Sequence, residues 1–195
     1  MKRLFYHGVC DWIEIAIEQM ESIAKEGIFS RERLGEDYNH VCLYKKNEEY
    51  DYSTPDAIIL NSARGGWIDN CCGFIVSNSV VAHKQSDRRK TDLVDEWRSE
   101  GAISIDKIIG VFFPLENRDL IAKPEDIEQV VLSSGMEEYL DENDYAQTVE
   151  RLHRLVEIIK QRNWIVANSD VKDFTDRIDE MTQTLDSRDS MVEER

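Results

Sequence analysis

Long hydrophobic runs are missing from this 195-residue chain, and so is any excess of positive charge. No stretch approaches the roughly 18 consecutive apolar residues that a membrane-spanning helix needs, so no such span is expected. The first residues, Met1-Lys2-Arg3-Leu4-Phe5-Tyr6-His7, run straight into an acidic amphipathic stretch and lack the apolar segment of a signal peptide. The expected compartment is the cytoplasm. Lys and Arg total 24 against 40 Asp and Glu, a formal net charge of -16. A surface of that sign repels phosphate on average and argues against a general nucleic-acid coat. Cysteine is scarce: Cys10, Cys42, Cys71 and Cys72. The adjacent Cys71-Cys72 pair is not a Cys-x-x-Cys motif and has no histidine at zinc-finger spacing, so no metal is expected and the thiols read as reduced and mostly buried. The glycine patterns of dinucleotide-binding and P-loop folds are absent too; Gly65-Gly66 reads as a turn.

What is present is a folding chain. Hydrophobic residues make up 41% and charged residues 33%. A chain of this size buries roughly 70% of the surface its unfolded form exposes, enough core to stand without a disulfide or metal staple. The length fits one domain with an appendage. One local exception to the acidic balance is the run His83-Lys84-Gln85-Ser86-Asp87-Arg88-Arg89-Lys90.

Residues Arg3–His7 read as a first strand, broken by Gly8. From Asp11, a candidate N-cap, the period becomes helical: Ile13, Ile17, Met20, Ile23 and Ala24 form one face, with Glu14, Glu18, Glu21 and Lys25 on the other. Gly27 stands where a helix C-terminal glycine belongs. Short strands are predicted at Val41–Tyr44, Ala57–Leu60, Gly73–Val76 (continuing through Val80-Val81), Asp92–Arg98 and Ile108–Phe113, the last closed by Pro114. After Pro114 the chain turns helical. Pro124 suits the first turn of a helix to about Val131. Asp144–Arg162 is a strong amphipathic helix, and Asp170 to about Leu185 has the same period. The strands of the middle lack crossover helices, so the predicted class is α+β and not a doubly wound sheet. The predicted organisation is a core over 1–115, helices over 116–185 and a frayed acidic tail over 186–195.

Three groups of residues stand out for chemistry: Tyr6-His7-Gly8 before a helix that ends in Glu26-Gly27-Ile28; the polar middle with Tyr44 and Asn61-Ser62-Ala63-Arg64-Gly65-Gly66; and Asp95-Glu96-Trp97-Arg98 followed by Ile103, Ile108, Gly110 and Val111. This order resembles the ADP-ribosyltransferase fold over roughly Arg3–Phe113, and within it bacterial or phage enzymes such as the DNA-targeting ADP-ribosyltransferase toxins. The resemblance implies a split mixed or antiparallel sheet with an N-terminal helix, followed here by C-terminal helices. It implies NAD as substrate, with transfer of ADP-ribose to a nucleic-acid or protein acceptor. His7 then matches the histidine that hydrogen-bonds the NAD ribose, and Gly8 the position that lets nicotinamide approach the backbone. Tyr44 is the candidate for stacking on nicotinamide, with Tyr50 or Tyr52 as substitutes, and Arg31 or Arg33 for the phosphates. Glu96 matches the glutamate that stabilises positive charge developing on the ribose. Lys84, Arg88, Arg89 and Lys90, just upstream, match an acceptor-recognition loop. Two departures bear on the acceptor and the middle motif. Position 94 is Val, so the Glu-x-Glu pair of arginine-modifying enzymes is absent, and Tyr44 is followed by Lys45-Lys46 and not by a serine-threonine signature.

Each of these residues has a plainer role as well. His7 suits a hydrogen-bonded strand end. Glu96 stands among Asp92, Asp95 and Glu100, as on a solvated face. Arg31 and Arg33 suit pairing with Glu32 and Glu36, and Tyr44 suits a half-buried strand. Trp12, Trp67, Trp97 and Trp164 read as core or interface anchors. The alternatives to transfer are NAD hydrolysis on the same fold, or a non-catalytic acidic protein that binds a basic partner through its C-terminal helices. An RNA 2'-phosphotransferase is disfavoured for want of clustered basic residues.

Overall fold

A computed structural model describes residues 4–10, 13–30, 57–61, 71–84, 96–116 and 118–193. The predicted strand Val41–Tyr44, the Gly65-Gly66 turn, the Asp11 cap, Trp12 and Trp67 lie outside the described residues. In chain order the elements are β1 (Phe5–Cys10), α1 (Ile13–Glu26), β2 (Ile28–Phe29), β3 (Ala57–Asn61), β4 (Cys72–Val76), β5 (His83–Lys84), β6 (Glu96–Glu100), β7 (Ala102–Ile103) and β8 (Ile108–Phe113). They continue with β9 (Ile121–Ala122), α2 (Pro124–Leu132), α3 (Glu142–Gln161), β10 (Ile165–Asn168) and α4 (Phe174–Glu193). The class is α+β, as the run of middle strands without crossover helices implied.

Among the described residues eight strands form one mixed sheet in the order β5-β6-β3-β1-β4-β8-β10-β9, and β2 pairs with β7 in a separate small sheet. The main sheet is continuous and not split, because β4 pairs with β1 on one side and β8 on the other. Its only parallel pair among the described residues is β8 with β10. A parallel neighbour requires a crossover, and α2 and α3 supply it.

The strand alternation separates two cores. Phe5, Ile58, Leu60, Phe74, Val76, Val111 and Phe113 face the layer made by α1, α2 and α3. Leu4, Tyr6, Ile75 and Phe112 face Phe174 and Ile178 of α4 on the opposite side. Both faces of the central strands are therefore covered, which explains why Ile108–Phe113 is apolar almost without interruption. Trp97 and Trp164 do anchor the core: Trp97 meets Phe5 at 5.5 Å between ring centroids, and Trp164 meets Phe74 at 6.0 Å.

Local signals set the helix ends. Gly27, at φ +95°, follows α1, and its N–H donates to the Ile23 carbonyl at 2.8 Å. The Asp126 carboxylate accepts the Lys123 N–H at 2.8 Å ahead of the first-turn Pro124. Asp141 caps α3 by accepting the Asp144 N–H at 2.9 Å.

Several sequence expectations are corrected. Gly8 does not end β1: it pairs with Gly73, and the ladder continues to Cys10 after a register shift. β4 does not run on to Val80-Val81. Ser77 turns the chain, giving its N–H to the Lys107 carbonyl at 2.8 Å and accepting that of Val80 at 3.2 Å. The region after Pro114 adds strands as well as the expected helices, since β9 and β10 enter the main sheet there. Glu21 does not lie on the solvent face of α1; it is buried between α1 and α3. The last helix does not stop near Leu185 but extends to Glu193.

Candidate functional site

β1 is the element on which the site depends, and it is fixed from three directions. Beside it, β4 comes unusually close: a Cβ on Gly73 would stand 2.2 Å from the His7 carbonyl oxygen and 2.3 Å from the Phe112 ring. Only a glycine allows that approach. Below it, the Tyr6 hydroxyl lies 2.9 Å from the Thr175 carbonyl oxygen and 3.1 Å from Asp179 Oδ1 of α4. The Leu4 N–H donates to the same Asp179 oxygen at 3.2 Å. Above it, α1 packs on Phe5 and Val9. The pair His7-Gly8 thus sits on a strand held at both of its faces, with both residues half-buried.

β6, which begins at Glu96, is two places from β1. The register runs Tyr6 opposite Asn61 and Asn61 opposite Glu96. Two strand spacings put the β1 and β6 backbones about 10 Å apart at that row. His7 belongs to the adjacent row, opposite Phe74. His7 and Glu96 therefore belong to the two strands that flank β3, in rows of different parity in the pleat. On the outer side of β6, His83 pairs with Arg98 and Lys84 with Trp97. The start of the basic run is thereby the edge strand next to the strand of Glu96.

β6 ends at Gly101, φ +78°, which turns the chain into β7. There Ile103 pairs with Ile28 and Ala102 with Phe29. A Cβ on Gly27 would stand 2.5 Å from the Ile103 carbonyl oxygen, so the helix-ending glycine is also a packing requirement of this small sheet. The Ser30 N–H closes it by donating to the Gly101 carbonyl at 3.0 Å.

An open groove of ≈ 370 Å³ runs beside the far end of β6, lined among others by Ser79, His83, Ser99, Glu100 and Lys107. At its rim the Ser104 hydroxyl donates to Asp106 and holds that carboxyl below its usual range. The groove sets hydroxyls and charges of both signs among the apolar side chains of Val80, Val81, Ala102 and Ile103.

The remaining predicted site residues are not brought to this region by anything described. Arg31, Arg33, Tyr44, Arg88, Arg89 and Lys90, with the substitutes Tyr50 and Tyr52, lie outside the described residues. Among the described residues no group of three or more His, Cys, Asp or Glu side chains has the arrangement of a metal site. No helix among them is long and apolar enough to cross a membrane.

Sequence reasoning missed three polar residues that hold this region together. Asp179 binds β1 from α4. Asn168, at the end of β10, accepts the Leu115 N–H at 2.9 Å and donates to the Leu115 and Arg118 carbonyls at 2.8 and 3.1 Å. Ser169 donates to the Cys71 carbonyl at 2.8 Å. The one signal for Asn168 and Ser169 was the polar pair that closes the short apolar run Trp164–Ala167; nothing in the local pattern marks Asp179 as buried. No family model, curated protein or solved structure matches the chain.

Proposed function

We propose that the protein is an NAD-dependent mono-ADP-ribosyltransferase. The observation that carries this reading is the meeting of two segments far apart in sequence on which the resemblance rests. The Gly27-Ile28 step after α1 and the Ile103 segment after the Glu96 strand pair directly, Ile28 opposite Ile103.

In this reading His7 and Gly8 hold the nicotinamide–ribose half of NAD, His7 by a hydrogen bond and Gly8 by the close approach its missing side chain permits. The bond between the nicotinamide nitrogen and the ribose carbon breaks, and nicotinamide leaves with the bonding electrons. Positive charge then develops on the ribose, and the Glu96 carboxylate stabilises it. A nucleophile of the acceptor forms the new bond to the same carbon and gives up its proton. Lys84 and the basic residues that follow it, Arg88, Arg89 and Lys90, receive a nucleic-acid or protein acceptor past the β5–β6 edge.

NAD labelled in its adenylate half, incubated with cell lysate and either the wild-type protein or Glu96→Gln, tests the proposal. Label entering a protein or nucleic-acid fraction with the wild type alone is the expected result. Free ADP-ribose as the sole product makes the protein a hydrolase and overturns transfer. Unconsumed NAD overturns the reading altogether and favours an acidic binding protein.

A further inference from the structure

β9 stands at one edge of the main sheet, with β10 on its inner side and no strand among the described residues on its outer side. The register fixes which way its backbone points. Ile121 lies opposite Ala167 and Ala122 opposite Val166, and the Asn168 N–H donates to the Leu120 carbonyl at 2.9 Å. Hydrogen-bonded and non-hydrogen-bonded pairs alternate along an antiparallel ladder. Leu120 and Ala122 therefore turn their backbone groups toward β10, and the Ile121 N–H and C=O point away from the sheet. Among the described residues no hydrogen bond takes up either group. The Ile121 side chain is 41% exposed, a state that only Val81 and Tyr139 share among the described large hydrophobic residues.

The sequence around Ile121 is self-complementary. In Asp119-Leu120-Ile121-Ala122-Lys123, an antiparallel copy placed about a two-fold axis at Ile121 sets Ile121 against Ile121, Leu120 against Ala122 and Asp119 against Lys123. Asp119 and Lys123 are both exposed, and neither has an ion pair among the described residues. A lysine on an edge strand ordinarily blunts it against pairing. Here the two-fold brings Lys123 to an aspartate and not to another lysine. The stretch from Arg118 to Lys123 carries two cations and one acid in a chain of net charge -16, so a second copy meets less repulsion here than over the surface on average.

We infer that β9 is a homodimer interface, on which a second copy of this chain pairs antiparallel about Ile121. The Ile121 N–H of each protomer donates to the Ile121 carbonyl of the other. The two isoleucine side chains cover one another on the face of the sheet that carries Ala167. The ladder is short, because the Lys123 N–H is already given to Asp126 at 2.8 Å and Pro124 follows with no N–H. An interface of this size gives a weak, concentration-dependent dimer and not a permanent one. The two main sheets become one, with both β5–β6 edges at its outer ends. The inference is independent of the proposed enzymatic activity.

Sedimentation velocity of the full chain over a wide range of concentration, with amide exchange at Ile121 measured alongside, tests it. The wild type is expected to pass from monomer to dimer as concentration rises, and the Ile121 amide to exchange more slowly in the dimer. Asp119→Lys and Lys123→Glu each set like charges against one another and should stay monomeric; both positions are exposed, so folding is retained. Mixed in equal amounts, the two variants should form a heterodimer, because each now supplies the charge that the other lacks. A wild type that is monomeric at every concentration overturns the inference and leaves the edge to a strand of another protein. A dimer that survives in both single variants, or one in which the Ile121 amide gains no protection, is built on another surface and overturns it too. Single variants that stay apart when mixed overturn the pairing about Ile121.

Discussion

The Tyr6 hydroxyl and Asp179 Oδ1 stand 3.1 Å apart in the buried layer between β1 and α4. They join the residue before His7 to a helix near the end of the chain, so the strand of the candidate site is set by a contact spanning almost the whole sequence. The same hydroxyl reaches the Thr175 carbonyl, and the Tyr6 ring packs edge-on against Phe112 and Phe174 at 6.3 and 5.8 Å. Tyr6→Phe keeps the ring contacts and removes only the hydroxyl. It should lower stability by about 1–2 kcal/mol, the cost of leaving buried acceptors without that donor. Denaturant unfolding reads this as a lower midpoint at unchanged slope; a midpoint equal to wild type would mean that the hydroxyl bond contributes nothing.

Glu21 gives the protein a measurable acid sensitivity. Burial pushes its carboxyl up, but hydrogen bonds from Arg154 and Lys25 outweigh that and hold it below the ordinary glutamate range. Arg154 Nε stands 2.6 Å and Lys25 Nζ 2.5 Å from Glu21 Oε1. A folded pKa below the unfolded one means that the contribution is fully present above the unfolded value of about 4.3 and is lost as pH falls through the lower folded value. Glu21→Gln should therefore cost about 1 kcal/mol at neutral pH, at the low end for a charged hydrogen bond because Arg154 is 42% exposed. Below the folded pKa the variant and the wild type should converge. Urea titrations at a series of pH values check this, and a difference that persists unchanged at the acid end contradicts it.

These two contacts also mark what a local reading of the sequence can and cannot give. The apolar face of α1 was legible, and Ile17, Met20 and Ala24 are fully buried, because a 3.6-residue period needs no knowledge of the partner. The strand Ile108–Phe113 was legible as a short, almost unbroken apolar run closed by Pro114. Glu21 was assigned to solvent because its cation, Arg154, lies 133 residues away. β10 was read into a helical region because Trp164–Ala167 is too short for its period to decide between strand and helix. The decisive signal is Asn163, whose φ of +50° stops α3 just before it. At the candidate site the sequence singled out His7, Gly8 and Glu96, but their arrangement around β3 depends on pairings that no local pattern encodes.

Gly27→Ala tests whether the β2–β7 contact is as tight as it looks. A methyl group there meets the Ile103 carbonyl at 2.5 Å, and the backbone is at φ +95°, which side chains other than glycine's rarely adopt. Neither partner is a flexible side-chain end, so relief requires the backbone to move. The expected loss is more than about 1 kcal/mol. Thermal unfolding measures it; a stability equal to wild type would show that the small sheet yields at little cost. The proposed activity should fall with it, since β7 is joined to the strand of Glu96 through Gly101 alone.

Binding and chemistry should separate at His7 and Glu96. A ligand that binds only the folded protein stabilises it by about 2.7 kcal/mol at a hundredfold excess over its Kd, a shift that thermal unfolding resolves readily. With NAD the wild type should show such a shift. His7→Ala should lose most of it, because His7 is proposed to hold ground-state NAD. Glu96→Gln should keep it while losing turnover, because the glutamate acts on charge that develops only as the nicotinamide bond breaks. A Glu96→Gln protein that loses the shift along with turnover would make Glu96 a binding residue. A His7→Ala protein that keeps both would remove β1 from the site, since nothing else on that strand except Gly8 is offered to the nicotinamide half of the ligand.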